Sequence, residues 1–183
     1  MKKTKAITDV IPADSEMEQV VLGSLLIDKE LIHSWIQDIS ANIFFNSECK
    51  ECCEVVLELY KESSAIDILT VTQKAREMNK KLLTPYFISG LTSKVAGTSN
   101  FEYHIRILQQ FALRRNLIQV AGSAVNSSYD DTQDVFDLYS HTTKDIEQAM
   151  KNVVHYQIQK VGDIHSQILK TATEIAVSGK KSG

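Results

Sequence analysis

An all-α fold follows from three features of this sequence. Seven glycines and two prolines in 183 residues leave little to interrupt helices. No window shows the sustained period-two alternation of β-branched residues that a half-buried strand requires. The stretch 100–150 carries apolar residues at helical spacing on both sides of one polar turn. The architecture expected is a small helical bundle, then a long protruding αα-hairpin and a separate C-terminal linker helix. Its boundaries are 1–12 for a flexible leader, 13–99 for the globular helical subdomain, 100–152 for the hairpin, and 153–183 for a connector and the linker helix.

The leader, Met1 to Pro12, is polar and lacks periodicity. After it, Ser15 with Glu18 three residues on reads as a capping box opening the helix EMEQVVLGSLL. The inward face of that helix is Val20, Val21 and Leu25, with Leu22 and Leu26 alongside. Gly23 inside it lowers helix stability by roughly 1 kcal/mol relative to Ala, so a close helix contact or a tolerated glycine are the two accounts of it. A turn at Ile27-Asp28-Lys29 leads to a second helix, Glu30 to Ile39, with Leu31, Ile32, Trp35, Ile36 and Ile39 facing in. Phe44 and Phe45 are expected as packing anchors before a third helix, Ser47 to Lys61.

The third helix holds Cys49, Cys52 and Cys53 on one stripe with Val56, Leu57 and Tyr60. A zinc site would need further ligands, and His33, His104, His141, His155 and His165 show no paired ligand spacing. The cysteines therefore read as small buried hydrophobes. Asp67 or Thr70 can cap a fourth helix, Leu69 to Met78, whose inward set is Leu69, Val71, Ala75 and Met78, and Asn79 suits its stop. Pro85 at a first helical position opens a short helix through Val95, with Phe87, Ile88 and Leu91 inside.

The hairpin begins at Asn100. Leu113, Leu117, Val120, Ala121 and Ala124 form one stripe along its first helix, and Ile107, Phe111, Ile118 and Val125 form a second. Residues 126–134 carry turn and N-cap residues, after which Val135, Leu138, Thr142, Ile146 and Ala149 recur at a spacing close to 3.5. Such a pair of helices suits an ordinary bundle or a hairpin that protrudes and pairs with another copy. On the second reading the self-association residues are Leu113, Leu117, Ile118, Val120, Ala121, Val125, Val135, Leu138, Tyr139 and Ile146. Beyond the connector, a last helix from Ile164 to Val177 carries a thin stripe, Ile164, Ile168, Leu169, Ala172 and Ile175, expected to dock on another surface.

Several function classes are excluded by composition and motif. No run of about 18 apolar residues exists, and the N-terminus lacks an apolar signal core, so a cytoplasmic chain with no membrane partner is expected. The net charge is −3 with basic residues scattered, which writes no phosphate-tracking face. At the C-terminus, Glu174 stands where the first glycine of a phosphate loop would be required. No other catalytic motif is present, so a binding module with no catalytic, cofactor or metal residues is the default.

Ile11-Pro12 followed by SEMEQVVLGSLLID resembles the opening of the bacterial replicative DNA helicases of the DnaB family, matching at Ile11, Pro12, Glu18, Gln19, Val21, Leu22, Gly23, Leu25, Leu26 and Asp28. The Phe44-Phe45 pair, the Leu-Tyr helix end, Ile66, Asp67 and Thr70 are similar to the family's next segment. Asn100, Glu102, Arg106 and LRRNLI from Leu113 to Ile118 resemble its entry into the hairpin. Cysteines in the third helix and Ala96 depart from the usual pattern at packing and turn positions. The resemblance implies the N-terminal region of such a helicase, without its RecA-like motor. It implies a dimer through the hairpin, a hexamer in the parent protein, and a DnaG-type primase and a helicase loader as partners. Single-stranded DNA would be met only through the parent hexamer, at replication forks in the nucleoid, and ATP and Mg would serve the parent protein rather than this region. Alternative assignments are the helicase-binding domain of a primase or a stand-alone helical replication regulator.

Overall fold

The computed structural model describes residues 11–151 and Val153. Residues 1–10, Asn152 and 154–183 lie outside it, among them the expected linker helix with Ile164, Ile168, Leu169, Ala172 and Ile175. The described residues form seven α-helices and no strand: α1 (Ser15–Ile27), α2 (Lys29–Trp35), α3 (Ser47–Lys61), α4 (Ile68–Glu77), α5 (Pro85–Ser93), α6 (Phe101–Ser128) and α7 (Val135–Lys151).

The core is built on α1, which packs against α2, α3, α5 and α6. Its Val21, Leu22 and Leu25 are fully buried, and each such side chain stabilises the fold by about 1.5–3 kcal/mol. Gly23 lies at the crossing with α5: a Cβ there would collide with the Leu91 carbonyl and a Val95 methyl, so the residue is present for close approach. Cys49, Cys52, Cys53, Val55, Val56 and Leu59 of α3 are all buried, and α3 begins and ends where the periodicity expects. The expected stripe was slightly rotated, since Leu57 and Tyr60 are only partly buried.

Local chemistry sets the helix ends. Asp67 caps α4 in a reciprocal box with Thr70, and Asn79 follows with φ 55, the left-handed conformation that stops a helix. Thr84 caps α5, with Pro85 at its first position. Asp28 caps α2 through one carboxylate oxygen and accepts the Thr98 hydroxyl at 3.1 Å through the other, tying the loop before α6 to the α1–α2 turn.

Four local expectations are corrected. Asp14, not Ser15, caps α1, accepting the Met17 amide at 2.9 Å, and Glu18 is turned into the core instead of back to the cap. The second helix loses its α form at Trp35 and tightens to a 3₁₀ turn, Ile36–Asp38, which brings Ile39 into the core. Phe44 is buried but Phe45 is 43% exposed, with the Arg115 guanidinium 5.6 Å over its ring. Leu69 is exposed because it lies about 160° around α4 from the buried Val71, two residues on, and about 120° from the buried Ala75, six residues on.

A larger correction concerns α6. The stripe that serves the fold is Phe101, Ile105, Leu108 and Ala112 in its first half, and neither expected stripe contains it. Beyond Arg115, which still bonds the body, the helix leaves the core and pairs with α7. The chain returns to the body at Val153, the first residue of the expected connector, which is 2% exposed and belongs to the core cluster.

Candidate interaction surface on the hairpin

The side chains between α6 and α7 are mostly small or polar. Asn116, Val120, Ser123, Ala124 and Ser127 face Leu138, His141, Thr142, Asp145 and Ala149, and the Asn116 amide donates to the Ala149 carbonyl at 3.3 Å. The large apolar side chains point elsewhere. On α6, Leu117 is 50% exposed, Ile118 60% and Val125 55%; on α7, Val135, Phe136, Tyr139, Ile146 and Met150 are likewise exposed.

Helix phase places these residues on one face. At 3.6 residues per turn, the exposed stripe of each helix leads its contact stripe by about a third of a turn in the chain direction. Because α6 and α7 run antiparallel, equal leads open to the same side. Bulky residues form a cluster toward the tip (Val125, Val135, Phe136, Tyr139) and another toward the root (Leu117, Ile118, Ile146, Met150), with Ala121 and Thr143 between them. The opposite side carries Arg115, Gln119, Asn126, Ser140, Lys144, Glu147 and Lys151. The tip is ordered by Asp130, which accepts the Thr132 hydroxyl and amide and the Gln133 amide; the Thr132 contact holds its carboxyl below the usual range.

Of the ten expected self-association residues, Leu117, Ile118, Ala121, Val125, Val135, Tyr139 and Ile146 are exposed. Val120 and Leu138 are partly buried between α6 and α7, and Leu113 packs against the core. Phe136 and Met150, exposed on the same face, were missed. Their signal was an aromatic and a thioether at spacings of three and four from Tyr139 and Ile146, which the 3.5-spaced seam had passed over.

The root of the hairpin is fastened by Arg115 and Glu18. The guanidinium donates to the carbonyls of Pro12 and Ile43, each at 2.8 Å, and its burial lowers its pKa below the ordinary value. Glu18, fully buried, accepts the amides of Phe45 at 2.7 Å and Asn46 at 3.0 Å.

The three thiols are buried: burial and then Glu18 push Cys49 up, burial raises Cys52 to about 12, and burial holds Cys53 well above the ordinary range. Such thiols are poor nucleophiles. Among the described residues no group of three or more His, Cys, Asp or Glu is placed to hold a metal ion, and no helix is long and apolar enough to cross a membrane.

Residues 10–110 match the family model of the DnaB-like helicase N-terminal domain. The chain belongs to that family. It is 28% identical over 171 residues to a replicative DNA helicase DnaB of Rhodothermus marinus, covering 86% of this chain and 18% of that protein. It is 22% identical over 166 residues to the replicative DNA helicase DnaC of Bacillus subtilis, covering 88% of this chain and 36% of that protein. The chain thus spans from about a fifth to about a third of these two relatives. Its fold is that of the N-terminal domain of DnaB helicase from Mycobacterium tuberculosis, with TM-score 0.69 at 23% identity, covering 75% of this chain and 98% of that one. It also resembles a DnaB-like replicative helicase studied with its interactions with primase, with TM-score 0.61 at 16% identity, covering 85% of this chain and 34% of that one. The family match ends within α6, so the hairpin's exposed face lies beyond it.

Proposed function

We propose that this chain is the assembly and primase-recruitment region of a hexameric replicative DNA helicase. In this reading the unwinding motor, its ATP and Mg, and its contact with single-stranded DNA belong to the rest of the parent protein, at replication forks. The hairpin face pairs two copies, paired bodies form a collar, and a DnaG-type primase docks on that collar; a loader meets the assembled helicase. Ile164, Ile168, Leu169, Ala172 and Ile175 dock on a neighbouring motor domain.

The observation that carries the reading is the one-sided apolar face of a hairpin whose own interface is small and polar. Contiguous exposed apolar faces mark interaction surfaces. Membership of the DnaB-like helicase N-terminal domain family supports a helicase as the parent protein, and a structural neighbour studied with primase supports primase as the partner.

Light scattering on the chain, and on Leu117→Glu with Ile146→Glu, tests the pairing. Burying two carboxylates in an apolar contact destabilises it by several kcal/mol, so the wild type should run as a dimer and the double variant as a helical monomer. Calorimetry with the primase's helicase-binding domain tests recruitment. A monomeric wild type removes the assembly reading, and absence of heat at any ratio removes the recruitment reading.

A further inference from the structure

We infer that Arg115 is a positioning residue: with Glu18 it sets the direction in which the hairpin leaves the body, and so where the apolar face is presented. The consequence for assembly rests on the self-association reading; the consequence for direction does not.

Arg115 occupies the point where α6 changes role. Ala112, one turn earlier, is the last buried residue of the helix, and Leu117, two residues later, is half exposed. Outside the body the hairpin is two helices wide, and a two-helix lever rooted at one end rocks unless its root is tied on more than one side. Neighbouring side chains supply those ties. Asn116 fastens α6 to α7 through the Ala149 carbonyl, while Arg115 fastens α6 to two remote segments of the body, through Pro12 before α1 and Ile43 before α3.

The body side of this joint is itself braced. Ile43 to Asn46 links a 3₁₀ turn to α3, and its carbonyl end is held by Arg115 while its amide end is held by Glu18. Arg115 also covers the Phe45 ring, which would otherwise stand open at the same joint. Glu18 lies close enough to favour the charged guanidinium electrostatically, against the burial that disfavours it. A lysine could not reproduce this, because one ammonium lacks the planar fork that reaches two carbonyls and stacks on a ring. Glu18 and Arg115 are 97 residues apart in sequence, from positions 18 and 115, so the joint couples the start of α1 to the root of the hairpin.

The test uses nitroxide labels on Tyr86→Cys in the body and Tyr129→Cys at the tip, both highly exposed, with the labelled chain diluted into unlabelled protein. The native thiols are buried and stay unlabelled. The parent should give one narrow distance distribution. Arg115→Met should broaden or displace it while circular dichroism and cooperative melting persist, and Arg115→Lys should fall between. Where self-association occurs, Arg115→Met should weaken it roughly tenfold. An unchanged distribution in both variants overturns the inference even if the protein dimerises. A monomeric parent with a broadened Arg115→Met distribution removes the assembly reading and leaves the positioning role standing. Should Arg115→Met fail to fold, Arg115→Lys decides by the same distance criterion.

Discussion

The two halves of α6 are one continuous helix with opposite fates. In the first half, Phe101, Ile105, Leu108 and Ala112 are buried by α1 and the body; in the second, Leu117, Ile118 and Val125 are as apolar but half exposed. Helix propensity cannot account for the difference, because both halves lack proline and carry only Gly122 as a weak point. What differs is what lies beside them. The first half has its partner within the chain, whereas the second meets a mostly small and polar side of α7, with Leu138 its one large apolar contact there, and presents most of its large side chains outward.

The largest effect that would break this comparison is a cavity in the first half. Leu108→Ala should destabilise the monomer by about 2–5 kcal/mol, whereas Leu117→Ala, read in the same melting experiment under monomeric conditions, should change it by only about 0.5 kcal/mol or less. Equal losses at the two positions would mean that the distal half is packed within the chain after all.

Two of the helical glycines, Gly23 and Gly122, sharpen the contrast. Gly23→Ala drives a methyl into the Leu91 carbonyl and should destabilise by about 1–3 kcal/mol. Gly122 has nothing within 4 Å of where a Cβ would stand, so Gly122→Ala should stabilise the monomer by roughly 0.5–1 kcal/mol, measured by urea denaturation. A destabilising Gly122→Ala would reveal a contact inside the chain that this account lacks.

The smallest effect concerns the body alone. The Thr70 amide at the start of α4 holds the Asp67 carboxyl below its usual range. A depressed folded-state pKa contributes stability that is complete above the unfolded pKa, near 4, and is lost as pH falls through the lower folded value. Asp67→Ala should therefore remove about 1 kcal/mol at neutral pH, and the difference from wild type should shrink below about pH 4. A difference that holds constant into acid would show that the cap acts by shape and not by charge.

Much of the body was legible in the sequence because its signals are local. The bounds of α3, the burial of its cysteines, the cap of α4 within Asp67 to Thr70 and the stop at Asn79 rest on spacing and cap chemistry within a few residues, whereas Gly23 left a close contact and a tolerated glycine both open until α5 was seen against it. The shared hold of Glu18 and Arg115 on the segment from Ile43 to Asn46 was not legible, since it joins groups far apart in the chain, and the nearby Ser15 offered Glu18 a local partner instead. The buried stripe of α6 was missed for a different reason. That helix is apolar on several sides, so periodicity establishes a helix without showing which side a core will claim. For the face itself, residue type was readable and partition was not. Val120 and Leu138 have the same character as Leu117 and Tyr139, and only the crossing of α6 with α7 separates those turned inward from those left open.

On the self-association reading, the distal half of α6 finds its apolar partner outside its own chain. Amide hydrogen exchange along α6, measured over a series of protein concentrations, tests it most directly. Protection of Phe101 to Ala112 should be independent of concentration, while protection of Leu117 to Ser128 should rise with concentration and then saturate. Distal protection that is already equal to the proximal value, and unchanged on dilution, would contradict the account.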